Sequence, residues 1–162
     1  MSMQAITYTP IGVIRSPFTT LAGMPIQTVA ATGVAATVEL DPSYAAGLTD
    51  IDGFSYLLLI THLHLMQGFA LEVTPFMDTQ PHGVFATRSP RRPNPIGLSI
   101  VRLVRVEGAT LHIEEVDLVD GTPVLDIKPY VPQLDDRAAA RTGWFAENVH
   151  KVYQVRADDR IR

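Results

Sequence analysis

The chain has 162 residues, 46% of them apolar and 19% charged, with no cysteine and a formal net charge of −4. Those values describe one ordinary soluble domain, expected over residues 1–162, and exclude a disulfide framework, a thiolate nucleophile and a cysteine-type zinc site. The negative charge argues against indiscriminate nucleic-acid binding and leaves room for a local basic face.

A first strand is predicted over residues 5–15. Across residues 1–20, Gln4, Thr7, Thr9, Pro10 and Arg15 interrupt the apolar residues, so no secretion signal is expected and the cytoplasm is the default compartment. A second strand follows at 34–40, and Asp41-Pro42 starts one helical turn over 44–48. The third strand is expected over 54–66. Its apolar run from Leu57 to Met66 is broken by Thr61, His62 and His64 and is about half the ~20 residues a spanning helix requires, so no membrane crossing is expected. Period two puts His62 and His64 on one face, either half of an imidazole metal site or a structural pair. No third ligand stands out, and no metal is expected.

A short strand at 83–87 leads into a segment of distinct composition. Between Asp78 and Glu107 there is no acidic residue, yet Arg88, Arg91, Arg92, Arg102 and Arg105 lie there with Pro81, Pro90, Pro93 and Pro95. The prolines preclude a helix through residues 87–95, leaving a rigid loop that is either a solvated surface or an anion or cofactor cradle. Strands follow at 98–106, 110–118, 123–131 and 149–156, with a short helix over 136–147. In 110–118 the apolar phase slips across Glu114-Glu115, which suggests a β-bulge or a bend at a barrel corner. In 123–131, Asp126, Lys128 and Tyr130 share one face, with Leu125, Ile127 and Val131 on the other. Many short strands with few helices predict a mainly all-β fold, a small barrel or a sandwich.

Neither a P-loop, a Gly-x-Gly-x-x-Gly fingerprint nor a Gly-x-Ser-x-Gly elbow is present. The run Gly83-Val-Phe-Ala-Thr-Arg-Ser-Pro-Arg-Arg-Pro-Asn-Pro-Ile-Gly-Leu-Ser99 instead resembles the signature of the TrmO (TsaA-like, UPF0066) family of S-adenosylmethionine-dependent tRNA methyltransferases. Three further segments match in order: Ile11-Gly-Val-Ile-Arg-Ser-Pro-Phe18, Gly53-Phe-Ser55, and Asp117-Leu-Val-Asp-Gly-Thr-Pro-Val-Leu-Asp-Ile-Lys-Pro-Tyr130. The resemblance implies a small antiparallel β-barrel that binds S-adenosylmethionine as a homodimer, with the cofactor near the subunit interface. It also implies methylation of N6 of N6-threonylcarbamoyladenosine beside the tRNA anticodon. The C-terminal domain of long family members is expected to be absent.

Carried over residue by residue, Arg88 resembles the family's cofactor-contacting arginine and Leu98 the residue whose backbone closes the adenosine pocket. His64 and Leu65 match a cofactor-contacting pair whose second position is commonly polar. Pro25-Ile26-Gln27 resembles a Pro-Arg-Gln segment with isoleucine in place of arginine, and Glu114, Glu115, Val116 and Asp117 match a segment offering backbone contacts. The family's Phe-Ser-His-x-Trp pattern reads Phe54-Ser-Tyr-Leu-Leu58 here. Methyl transfer from a sulfonium requires the acceptor nitrogen to be held about 3 Å from the methyl carbon in line with the breaking bond. Arg88 can take a carboxylate in bidentate fashion. Asp126 and His64 are candidates for a base, although Asp126 equally suits a structural pair with an arginine. Arg91, Arg92, Lys128 and Tyr130 are the candidate RNA contacts. A binding module without turnover and a small-molecule methyltransferase are the alternatives.

Overall fold

Six segments alternate inward apolar and outward polar or mixed side chains, and the computed structural model, which describes residues 4–158 and 160, closes them into one antiparallel barrel. They are β1 (Gly12–Arg15), β2 (Ala35–Leu40), β3 (Tyr56–His62), β6 (Ile96–Glu107), β7 (Thr110–Glu114) and β8 (Pro123–Pro129). The two-residue strands β4 (Glu72–Val73) and β5 (His82–Gly83) form a separate ribbon. Around the barrel the order is β1-β2-β7-β6-β3-β8, and pairing of Gly12 with Val124 brings β8 back to β1. Closure leaves no barrel strand with an unpaired edge. Ile14, Val38, Leu57, Leu59, Val101, Leu111, Ile113 and Val124 fill the interior. Gly12 is required where β1 crosses β2, because a Cβ there would lie 2.5 Å from the Glu39 carbonyl oxygen and 2.9 Å from Leu40 Cα.

The barrel and its few short helices agree with the expected fold class, and several element boundaries are corrected. The first strand shrinks to Gly12–Arg15, since only these residues pair with β2 and β8, while Ile6 and Tyr8 are exposed. The third strand stops at His62, after which the chain turns and Leu63 N–H donates to the Pro95 carbonyl. Residues 84–86 form a 3-10 turn in which Val84 and Thr87 face inward, a spacing of three rather than two. The same spacing accounts for 149–153, where Val152 is buried on a 3-10 helix where a strand was expected. Helix 136–147 is not formed. Residues 136–143 present no face to bury and Gly143 adopts φ 56°, so α-helix among the described residues is confined to α1 (Pro132–Asp135) and α2 (Phe145–Asn148).

The phase slip near Glu115 has a different origin from the expected bulge. Glu115 takes φ 64°, in the left-handed region, and β7 ends at Glu114, so Val116 and Leu118 enter the core from beyond the strand. Register shifts fall instead in β6, between Leu103 and Arg105, and opposite Ile60 and Thr61 in β8. The extra residues are Val104 and Leu125. Leu125 therefore does not share the face of Ile127, which packs against the core, whereas Asp126 and Lys128 do lie together and form an ion pair at 2.9 Å.

Candidate active site

The loops that leave the barrel where β6 begins surround a cavity of about 720 Å³. Strand β6 contributes Gly97, Leu98 and Ser99, and four separate stretches of chain bring Pro25, Ile26, Gln27, Arg88, Leu98 and Asp117 onto its walls. All six were expected from the sequence to hold the cofactor. Gly97 lets β6 pack closely on its neighbour β3: a Cβ there would meet Thr61 Oγ1 at 2.5 Å and Leu63 Cδ2 at 2.9 Å.

Proline geometry and one arginine fix the loop that carries Arg88. Arg92 Nη1 donates to the carbonyls of Thr87 at 2.8 Å and Val84 at 3.1 Å, and its guanidinium lies 5.7 Å from the Phe85 ring centroid. Arg92 thus serves as a clamp on the loop. Arg88 is exposed and donates from Nη1 to Gln27 Oε1 at 2.9 Å, joining two segments that are 61 residues apart. Arg91 lines the cavity with a buried Nε that has no acceptor among the described residues.

Two acidic residues line the cavity, Glu72 from β4 and Asp117 from the segment after β7. Ser99 Oγ donates to Asp117 Oδ1 at 2.7 Å, and among the described residues no cationic side chain forms an ion pair with this carboxylate. Burial pushes the Asp117 carboxyl up to about 6, against the opposing pull of the Ser99 bond, its own backbone N–H and the charge of Arg88. The protein packed around the carboxylate penalises its ionised form.

Several walls of the cavity carried no signal as a site. Trp144 and Phe145, Ala157 and Arg160 reach it from the C-terminal segment. Trp144 Nε1 donates to the Ala86 carbonyl at 2.8 Å and its ring stacks on His82 at 4.6 Å, while Gly23 and Met24 exchange backbone bonds with Ala157. These contacts are made only in three dimensions. Ser99 did leave a trace: with Val101 and Leu103 it occupies the inward phase of β6, where a hydroxyl stands out.

The remaining sequence candidates lie elsewhere. His64 and Leu65 are exposed beyond the end of β3 and do not line the cavity. Val116 is fully buried in the barrel core, the Glu114 side chain is paired with Arg102, and Glu115 Oε1 accepts from the Tyr56 hydroxyl at 3.4 Å. Asp126 is paired with Lys128 rather than with an arginine, on the outer face of the barrel. Tyr130 packs edge-on against Tyr56 and bonds to Asp136. No group of three or more metal-ligating side chains occurs among the described residues, and none of their helices is long and apolar enough to cross a membrane.

The residues of the cavity fit S-adenosylmethionine. Arg88 suits a carboxylate, Ile26, Leu98 and Phe76 offer apolar walls, and the Asp117 carboxylate, which has no ion-pair partner among the described residues, suits a positive charge. A part-apolar cavity of a few hundred Å³ with a small number of placed polar groups is the usual form of a small-molecule site.

Comparison with known proteins agrees with this chemistry. A sequence profile of the tRNA-methyltransferase O N-terminal domain matches residues 13–136. A probable S-adenosyl-L-methionine-binding protein of Pyrococcus abyssi is 52% identical over 156 residues, which cover 96% of this chain and 85% of the relative. A mouse tRNA (adenine(37)-N6)-methyltransferase is 36% identical over 135 residues, covering 78% of this chain and 31% of that protein. The crystal structure of TrmO from Pseudomonas aeruginosa superposes with a TM-score of 0.74 at 38% identity, covering 87% of this chain and 63% of the solved one. The chain therefore spans most of the archaeal relative but less than two thirds of the other two.

Proposed function

Because this chain belongs to the tRNA-methyltransferase O N-terminal domain family, we propose that its cavity binds S-adenosylmethionine for methyl transfer to tRNA in the cytoplasm. The acceptor in this reading is N6 of N6-threonylcarbamoyladenosine beside the anticodon. The observation that carries the reading is the convergence of Pro25, Ile26, Gln27, Arg88, Leu98 and Asp117 on one cavity. The bound cofactor supplies an electrophilic methyl group. The protein's own residues orient it: Arg88, steadied by Gln27, holds a carboxylate, and Ile26 and Leu98 form the slot for the adenine ring. Asp126 and His64 both stand outside the cavity, so either acts as a base only on an acceptor that reaches in across the barrel's outer surface.

Incubation with methyl-labelled cofactor and bulk tRNA, followed by nucleoside analysis, tests the function. Label is expected in a methylated N6-threonylcarbamoyladenosine. Label only in a small metabolite favours the alternative substrate class, and binding without transfer to RNA or metabolite favours a sensor.

Arg88→Ala is expected to weaken S-adenosylmethionine binding at least tenfold in calorimetric titration. A folded variant with wild-type affinity removes Arg88 from the site.

We place tRNA phosphates along the loop of Arg88, where Arg91 retains an unsatisfied donor. Arg91→Ala is expected to lower tRNA affinity and reduce the slope of log affinity against log salt by about 1, with cofactor affinity within twofold. Arg92→Ala, by releasing the loop clamp, is expected to weaken cofactor and tRNA binding together. Filter binding at several salt concentrations beside a cofactor titration separates the two roles. Lys128 and Tyr130, on the outer surface of β8 and beyond it, extend the proposed RNA track.

We further propose a homodimer that covers the outer face of β3 and β6. Register places Ile60 beside Leu98 and Leu58 beside Ile100, and Ile96, Leu98 and Ile100 are exposed. This contiguous apolar patch suits an isologous interface. Light scattering is expected to give twice the chain mass of 17.8 kDa, and Ile100→Arg to give the monomer. A wild-type monomer at micromolar concentration contradicts this assembly.

A further inference from the structure

Methyl transfer changes the charge of the cofactor. The S–CH₃ bond breaks as the N–CH₃ bond forms, the sulfur keeps the electron pair, and the proton of the acceptor nitrogen passes to base or solvent. A sulfonium cation thereby becomes a neutral thioether of nearly the same shape. An apolar slot and a carboxylate partner bind both forms equally, so discrimination requires a charge placed within the cavity.

Asp117 supplies one. Its carboxyl borders the cavity and is otherwise surrounded by protein. It receives one side-chain hydrogen bond, from Ser99, and has no ion-pair partner among the described residues. The charged groups on the neighbouring walls are Arg88, Arg91 and Arg92 from the proline-rich loop, Glu72 from β4 and Arg160 from the C-terminal segment. Only Arg88 contributes appreciably to the charge balance of Asp117, and that contribution is the smallest of those acting on it. Surroundings that desolvate a carboxylate without pairing it leave it to be completed by a cation from outside.

We propose that Asp117 is the residue by which this site distinguishes charged S-adenosylmethionine from neutral S-adenosylhomocysteine, holding the former and releasing the latter. The proposal rests on the cofactor reading of the cavity. Attraction of this kind acts on the reactant cation and fades as charge leaves the sulfur. It therefore favours loading and product release and does not by itself lower the barrier.

Calorimetric titration of both ligands at pH 8 into the wild-type protein, Asp117→Asn and Ser99→Ala tests it. The wild type is expected to prefer S-adenosylmethionine at least tenfold. Asp117→Asn is expected to bring the two affinities within about twofold, chiefly through loss of S-adenosylmethionine affinity, while Ser99→Ala keeps the preference because the charge remains. A preference that survives in Asp117→Asn overturns the proposal. So does an equal loss for both ligands, since the carboxylate then holds a group they share, such as the α-ammonium or the ribose. If the wild type binds both ligands without preference, the cofactor reading stands and the role of Asp117 falls. If it binds neither, both fall.

Discussion

Asp117→Asn is expected to stabilise the protein at neutral pH and to remove a pH dependence that the wild type shows between about pH 4 and 6. In the unfolded chain the Asp117 carboxyl titrates near 3.8, and in the fold burial raises it to about 6. Below pH 4 both states carry the proton and the residue is neutral in its effect. Between the two values the folded state binds more protons than the unfolded one, so stability falls as pH rises, and the penalty is complete above about 6. The difference corresponds to about 3 kcal/mol at pH 7 to 8. Asparagine retains an acceptor for Ser99 Oγ and carries no charge, so it escapes the penalty. Urea unfolding at pH 4, 6 and 8 checks this. The variant is expected to gain about 3 kcal/mol at pH 8 and little at pH 4, and an equal effect at both values contradicts the assignment of an ionised buried carboxylate. The gain in stability also ensures that a loss of ligand discrimination in this variant reports on the site rather than on unfolding.

Gly12→Ala is expected to destabilise the barrel by about 3 kcal/mol, the upper part of the range for overpacking. The added methyl would sit 2.5 Å from the Glu39 carbonyl oxygen and 2.9 Å from Leu40 Cα, and both obstacles are backbone of the paired strand β2. Relief therefore requires β1 to move away from β2. Strand β1 is only four residues long and also carries the closing contact with β8 at Gly12 and Val13. At this chain length the loss corresponds to a fall in Tm of about 6–12 °C. Gly33→Ala is a useful control, because a Cβ there meets nothing within 4 Å and the cost is confined to the φ of 76°. Thermal unfolding that shows no larger effect at Gly12 than at Gly33 contradicts the close approach of β1 and β2.

What the sequence made legible follows from the range over which each interaction acts. The strands expected over 34–40, 54–66 and 98–106 marked three barrel strands, the middle one overrun past His62, because one face of each strand is buried and the period of two is visible in neighbouring residues. The acid-free, proline-rich segment around Arg88 showed a rigid loop through local φ restriction alone. Periods of three were read as two: Val84 with Thr87, and the turn that buries Val152, lie on 3-10 turns whose short length hides their phase. The helix expected over 136–147 has no core to pack against, since residues 136–143 are exposed, and propensity without burial does not sustain it. Bulges at Val104 and Leu125 depend on partner strands and leave no local mark. In the site, Arg88 and Asp117 were visible as parts of motifs. The Ser99–Asp117 bond, the Gln27–Arg88 bond and the wall formed by Trp144, Ala157 and Arg160 arise from contacts between distant parts of the chain. The difference between Arg91 and Arg92 was likewise invisible, because it is set by what each guanidinium meets in space.

The most direct test is a crystal structure of the protein grown with saturating S-adenosylhomocysteine. The ligand is expected in the cavity beside β6, in contact with Ile26, Arg88 and Leu98 and with Asp117 facing its sulfur. A ligand bound at any other surface, or a cavity that stays empty while calorimetry under the same conditions registers binding, would contradict the assignment of this cavity as the cofactor site.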